Sequence, residues 1–192
     1  MSRMGKKIRV GIDFDGVIAY NPFRVARAPI SWFKKKIFGV KKLTFFVPKN
    51  TLERWMWTIV HESSILPAIG INLLKQLNKN DKYEFFLITA RYGFLRGNLM
   101  WWLENQGIKN IFKEIIVNDN NDQPHIYKLE KIKQLDLDYF IEDNLDIVSH
   151  AYGKSKTKVL WIYNFLDRNK NYPNKFPYLE KALEYIESET TK

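Results

Sequence analysis

Hydrophobic and polar positions along the chain switch repeatedly between a period of two and a period near 3.6. Ile8, Val10 and Ile12 alternate with Arg9 and Gly11 before Asp13-Phe14-Asp15-Gly16, the pattern of a strand running into its carboxyl-terminal turn. "AIGINLLKQLNK" (68–79) places Leu73, Leu74 and Leu77 at helical spacing, and "YEFFLITAR" (83–91) is a continuous apolar run of strand length. "FLRGNLMWWLENQG" (94–107) predicts an amphipathic helix stopped by Gly107, followed by a strand over "KEIIV" (113–117). "HIYKLEKIKQL" (125–135) predicts a helix, "DYFIEDN" (138–144) a strand ending in acids, "KVLWIY" (158–163) another strand and "YLEKALEYIES" (178–188) a closing helix. Strands alternating with helices predict an α/β fold, a doubly wound, Rossmann-like parallel sheet of about five strands.

Residues from about 18 to 66 break the alternation. "ISWFKKKIFG" (30–39) and "TLERWMWTIVHE" (51–62) are two helical candidates joined by a loop containing Pro48. The expected organisation is a core of residues 1–17 and 67–192, with residues 18–66 as a small helical cap above the carboxyl edge of the sheet. Open α/β sheets bind their ligands at that edge.

Composition narrows the class. The 192 residues, 45% of them hydrophobic, suffice for one buried core but not for two full-sized domains. Absence of cysteine removes disulfides and thiolate chemistry, and no apolar run approaches the roughly twenty residues that span a bilayer. The N-terminus runs directly into a strand, so no signal peptide is expected; cytoplasmic localisation is the inference. The net charge of +10 points to an anionic partner, whether a phosphorylated small molecule, nucleic acid or a membrane surface.

Candidate chemistry gathers at three strand ends that the sheet would bring together. The first carries Asp13 and Asp15, the second Thr89-Ala90-Arg91, the third Glu142-Asp143-Asn144. In an extended chain residues two apart point the same way, so Asp13 and Asp15 would repel unless a cation, a shared proton or a chemical job relieved them. Two acidic pairs and a hydroxyl make an oxygen-rich site for a hard cation such as Mg²⁺, and Lys128 could reach over it to an anionic substrate. An EF-hand is excluded, because Ile18 and Arg24 stand where its loop needs Gly and Glu. A Walker-type phosphate loop is missing, and His61, His125 and His150 share no metal-ligand spacing.

These segments resemble the haloacid dehalogenase superfamily of phosphohydrolases. The resemblance rests on "VGIDFDGV" (10–17), "FFLITAR" (85–91), a lysine ahead of the acidic strand, taken as Lys128 rather than Lys131 or Lys133, and "YFIEDN" (139–144). It covers about residues 7–17 and 68–163, and the order with an insert after the first motif looks most like the 5'(3')-deoxyribonucleotidase branch. The resemblance implies Asp13 as the nucleophile that becomes an aspartyl-phosphate and Asp15 as general acid and then base. Thr89 and Lys128, with Ala90 and Arg91 as further substrate-binding positions, would hold the phosphoryl group. Mg²⁺ would sit on Asp13, the backbone carbonyl of Asp15, and Asp143. Many members carry a second acid four or five residues after that aspartate; Ile147 and Val148 stand there, leaving Glu142 and Asp146 as candidates for supporting the metal. For Arg91 and Asp146 a surface role, the latter as a charge in the first turn of a helix, weighs equally.

The expected activity is Mg²⁺-dependent hydrolysis of a phosphate monoester, a nucleoside monophosphate being one candidate. The alternatives are a phosphatase for phosphorylated nucleic-acid ends, with salt-dependent binding, and a catalytically silent binding protein on the same fold. The insert bears on that choice: "SWFKKKIFGVKK" (31–42) mixes five lysines with aromatics, as a nucleic-acid or membrane surface or as a solvated cap helix. Phe23, Trp32, Phe45, Trp55 and Trp57 are expected in the core of the cap, with base stacking as the other role.

Overall fold

The structure is a computed structural model that describes residues 6–20, 48, 50–62 and 66–191. The predicted helix over 30–39 and the aromatics Phe23, Trp32 and Phe45 lie outside the described residues, as does the side chain of Trp57.

Strand β1 (Ile8–Ile12) leads into β2 (Ala19–Tyr20), and the insert contributes α1 (Thr51–Glu62) before β3 (Leu66–Pro67). Then come α2 (Ile71–Asn78), β4 (Tyr83–Tyr92), α3 (Arg96–Asn105), β5 (Phe112–Asn118) and α4 (Pro124–Gln134). The chain closes with β6 (Tyr139–Glu142), α5 (Leu145–Ala151), β7 (Lys158–Ile162), β8 (Lys175–Phe176) and α6 (Leu179–Thr191). The predicted helix over 51–62 matches α1 residue for residue, but Trp55 on it is 62% exposed rather than packed in a cap core.

Among the described residues the main sheet has six strands in the order β5-β4-β1-β6-β7-β8, one more than predicted, and every pairing is parallel. The additional strand, β8, is two residues long and hangs on the edge of β7, too short to leave a period in the sequence.

Apolar runs fill both faces because alternate side chains go to opposite sides. Phe85, Leu87, Ile141, Leu160 and Ile162 meet Leu74, Leu99, Leu103, Leu183 and Ile186 of α2, α3 and α6. Phe86, Ile88, Phe140, Val159 and Trp161 meet Tyr127, Ile132, Val148 and Ala151 of α4 and α5. The uninterrupted hydrophobicity of "FFLI" is therefore the signature of a strand covered on both sides.

From β1 the chain steps outward to β4 and β5, then returns to the other flank of β1 for β6, β7 and β8. The order reverses between β1 and β6, and such a switch point opens a crevice at the carboxyl ends of the strands. Register sets Ile12 beside Leu87 on one side and Ile141 on the other, so Asp13 emerges next to Glu142. The insert leaves and re-enters through an antiparallel ribbon in which Ala19 pairs with Pro67 and Tyr20 with Leu66. Among the described residues no helix is long and apolar enough to cross a membrane.

Candidate active site

Strand β1 ends at Ile12, one residue before the first acid. Asp13 is still tied to the sheet, its N–H donating to the Ile141 carbonyl at 2.9 Å. The chain then turns: the Phe14 carbonyl accepts from the N–H groups of Ile18 and Ala19 at 3.0 and 2.9 Å. Gly16 holds φ +82° in this turn, a conformation that costs any side chain about 1–2 kcal/mol. The two aspartates are thus separated by a change of backbone direction, and each meets its own cation.

Asp13 is buried, and its Oδ1 lies 2.9 Å from the Lys128 ammonium. Lys128, buried on α4, also donates to Glu142 Oε2 at 2.7 Å. The other oxygen of Glu142 accepts from the backbone N–H groups of Asp143 and Asn144, at 3.2 and 3.0 Å. Glu142 therefore fixes both the lysine and the turn that presents Asp143. Trp161 on β7 braces the same turn, its indole N–H donating to the Asp143 carbonyl at 3.0 Å.

Oxygens of Asp13, Glu142 and Asp143 lie within 4.8 Å of one another. Burial, reinforced by Asp143 and Asp15, pushes the Asp13 carboxyl up to about 6 even though Lys128 pulls it down. Burial, with Asp13 beside it, drives Glu142 well above the usual carboxylate range. Burial would lower the Lys128 ammonium, but Asp13 and Glu142 outweigh it and hold the lysine above its ordinary value. One ammonium does not offset the crowding at Asp13. An all-oxygen donor set short of positive charge is the environment that a hard divalent cation fits.

Asp15 has a different partner. Arg91 Nε and one terminal nitrogen donate to its two oxygens at 2.8 Å each, a bidentate pair. Arg91 is buried, with its guanidinium carbon 4.5 Å from the centre of the Phe14 ring. It reaches this position through an irregularity in β4: Thr89 pairs with Val117 and Tyr92 with its neighbour Asn118, so Ala90 and Arg91 are extra on their side of the ladder. Bulges of this kind beside active sites re-aim side chains. Thr89 is buried in the same segment, and its hydroxyl accepts from the Arg91 N–H at 3.2 Å. Ala90 is half-buried between them.

The structure thus brings Asp13, Lys128, Glu142 and Asp143 together, with Asp15, Thr89 and Arg91 alongside. Asp146 lies apart from the carboxylate trio, exposed in the first turn of α5 with its N–H capped by the Asn144 side chain at 3.0 Å. The strand that carries Trp161 reads as core, and its apolar pattern gives no sign of the indole N–H bond to the Asp143 carbonyl. A cavity of about 400 Å³ adjoins Gly16, with Tyr20, Leu66, Ile69, Tyr163 and Phe165 among its walls.

No family model and no curated protein matches the chain. Solved structures do. A protein of Thermotoga maritima assigned as a beta-phosphoglucomutase is 17% identical, with 94% of this chain and 99% of that one covered at a TM-score of 0.60. A haloacid dehalogenase-like family hydrolase of Streptococcus pneumoniae is 14% identical, covering 95% and 98% at 0.57. A protein of Bacillus subtilis assigned as a hydrolase of the same superfamily, bound to magnesium, is 12% identical, covering 95% and 100% at 0.54. The chain has the α/β haloacid dehalogenase-like fold, and two of these three neighbours are named as hydrolases of that superfamily.

Proposed function

We propose that the chain is a Mg²⁺-dependent phosphatase that hydrolyses a phosphate monoester through an aspartyl-phosphate on Asp13. The observation that carries the reading is Lys128 buried between Asp13 and Glu142 at the switch point of the sheet, with Asp143 completing the carboxylate trio. A structural ion pair needs no third carboxylate, whereas phosphoryl transfer to a carboxylate needs a divalent cation beside it, for which further carboxylate oxygens are the donors.

In the first step an Asp13 oxygen attacks phosphorus, the bond to the ester oxygen breaks, and Asp15 gives that oxygen a proton. Thr89 and Lys128 hold the phosphoryl oxygens. In the second step Asp15 takes a proton from water, the water oxygen attacks phosphorus, and the Asp13 carboxylate leaves as inorganic phosphate forms. Arg91 bonds both oxygens of the ionised Asp15 carboxylate, and when one oxygen carries the proton the other still accepts from Arg91. Asp13 and Asp143, with the Asp15 backbone carbonyl, would hold Mg²⁺, whose contribution is to neutralise charge developing on the phosphoryl group.

The substrate we infer is a small phosphorylated molecule, and nucleoside monophosphates come first because of the resemblance to the 5'(3')-deoxyribonucleotidase branch. The test is phosphate release from nucleoside monophosphates, sugar phosphates and an aryl phosphate, with and without Mg²⁺, beside Asp13→Asn. Metal-dependent release that disappears in the variant is the expected result. Equal release by the variant would remove Asp13 as nucleophile.

A further inference from the structure

We propose that Arg91 is a positioning residue for Asp15, acting on the reaction through that carboxylate and not by holding the phosphoryl group of the substrate. The inference rests on the phosphatase reading and assigns a task within it.

The geometry separates the two roles. A guanidinium that grips substrate keeps donors directed at the open crevice, but Arg91 spends Nε and a terminal nitrogen on Asp15 at 2.8 Å each. Its side chain is 4% exposed and that of Asp15 15%, so the carboxylate, and not the cation, lies nearer the solvent side of the pair. Phe14 lies against the guanidinium, and the bulge in β4 delivers it from the flank opposite β6. Two parallel N–H bonds fix the plane of a carboxylate as well as its position, which one bond from a lysine cannot do. They oppose rotation of the Asp15 carboxylate about its side-chain bonds. An acid that delivers a proton to a departing oxygen depends on that orientation.

The consequence is a dependence on the leaving group. An alkyl ester expels a basic alkoxide and needs the proton from Asp15; an aryl ester with a stable phenolate needs it much less. Arg91→Ala should therefore lower kcat/KM, which reports the first step, about 100-fold or more on an alkyl phosphate and only a few-fold on the aryl phosphate, while kcat falls on both wherever the shared second step, with Asp15 as base, limits the rate. The double variant Asp15→Asn with Arg91→Ala should be no slower than Asp15→Asn alone. Arg91→Lys, which keeps the buried charge, should fold as the parent and recover part of the alkyl activity; it carries the test if Arg91→Ala does not fold.

Equal losses of kcat/KM on both esters, together with losses that multiply in the double variant, would overturn the proposal and make Arg91 a ligand of the phosphoryl group. Full activity of Arg91→Lys on both esters would also overturn it, since charge alone would then suffice. These results are distinct from failure of the phosphatase reading. In that case the parent chain releases phosphate from neither ester, or Asp13→Asn matches it, and the role of Arg91 falls with the reading.

Discussion

Replacing the proposed nucleophile should make the protein more stable. Asp13 is ionised at neutral pH in a place that resists its charge: its carboxyl is raised from 3.8 to about 6, chiefly by burial and further by Asp143 and Asp15. A carboxyl raised in the folded state binds protons more tightly there than in the unfolded chain, so stability falls as pH rises from about 4 to about 6 and stays lower above. Each unit is worth about 1.4 kcal/mol, so the charged form of Asp13 destabilises the metal-free protein by about 3 kcal/mol at pH 7. Asp13→Asn keeps the size of the side chain and an oxygen for Lys128, removes the charge, and leaves Lys128 its 2.7 Å bond to Glu142. Urea unfolding in the presence of a chelator should show the variant and the parent nearly equal at pH 4, with the variant ahead by about 2–3 kcal/mol at pH 7. Addition of Mg²⁺ should then stabilise the parent more than the variant. A variant that is less stable at pH 7, or whose advantage does not grow between pH 4 and 6, would refute the account of a site short of positive charge.

Lys128→Met leaves Asp13, Glu142 and Asp143 buried or half-buried together without their ammonium, so unfolding at pH 7 should be easier by about 3–5 kcal/mol. The deficit should shrink as the pH is lowered and the carboxyls protonate, and phosphate release should be lost. Trp161→Phe removes the N–H that braces the Asp143 carbonyl, and the Mg²⁺ concentration that half-stabilises the protein in a thermal melt should rise about 10-fold or more. Gly70→Ala should cost about 3 kcal/mol or more in urea unfolding, because the residue has φ +114° and a Cβ there would overlap the Glu180 backbone nitrogen where α2 meets α6.

What was legible in the sequence were features that repeat over several residues. The apolar runs of β4, β6 and β7 and the spacing in α2, α3, α4 and α6 each carry enough turns or alternations to declare themselves. Asp13 and Asp143 were legible because strand ends of one parallel sheet converge, and Lys128 because the pattern the chain resembles carries a lysine ahead of the acidic strand. The partner of Arg91 was not, since the bulge that aims it is a mismatch of register between β4 and β5, which exists only when both strands are present. Glu142 was read as one of two supporting acids, and its grip on both Lys128 and the following turn follows from burial that no local pattern encodes. The indole of Trp161 was hidden by its own strand, whose apolar period accounts for the residue without its N–H.

The short ribbon of β2 and β3 has a consequence for how such a protein can vary. Its two strands pair Ala19 with Pro67 and Tyr20 with Leu66, and the Ala68 N–H adds a bond to the Ile18 carbonyl at 2.9 Å. The ends of the intervening chain are thereby fastened to each other before they reach the sheet. Closing a flexible loop costs only about 0.6 kcal/mol more for each doubling of its length. The connection between Tyr20 and Leu66 can thus take up added residues at small cost in closure entropy, because the ribbon holds its two ends together. A graft made at Tyr20 and Leu66 would start from ends that the ribbon already holds in register.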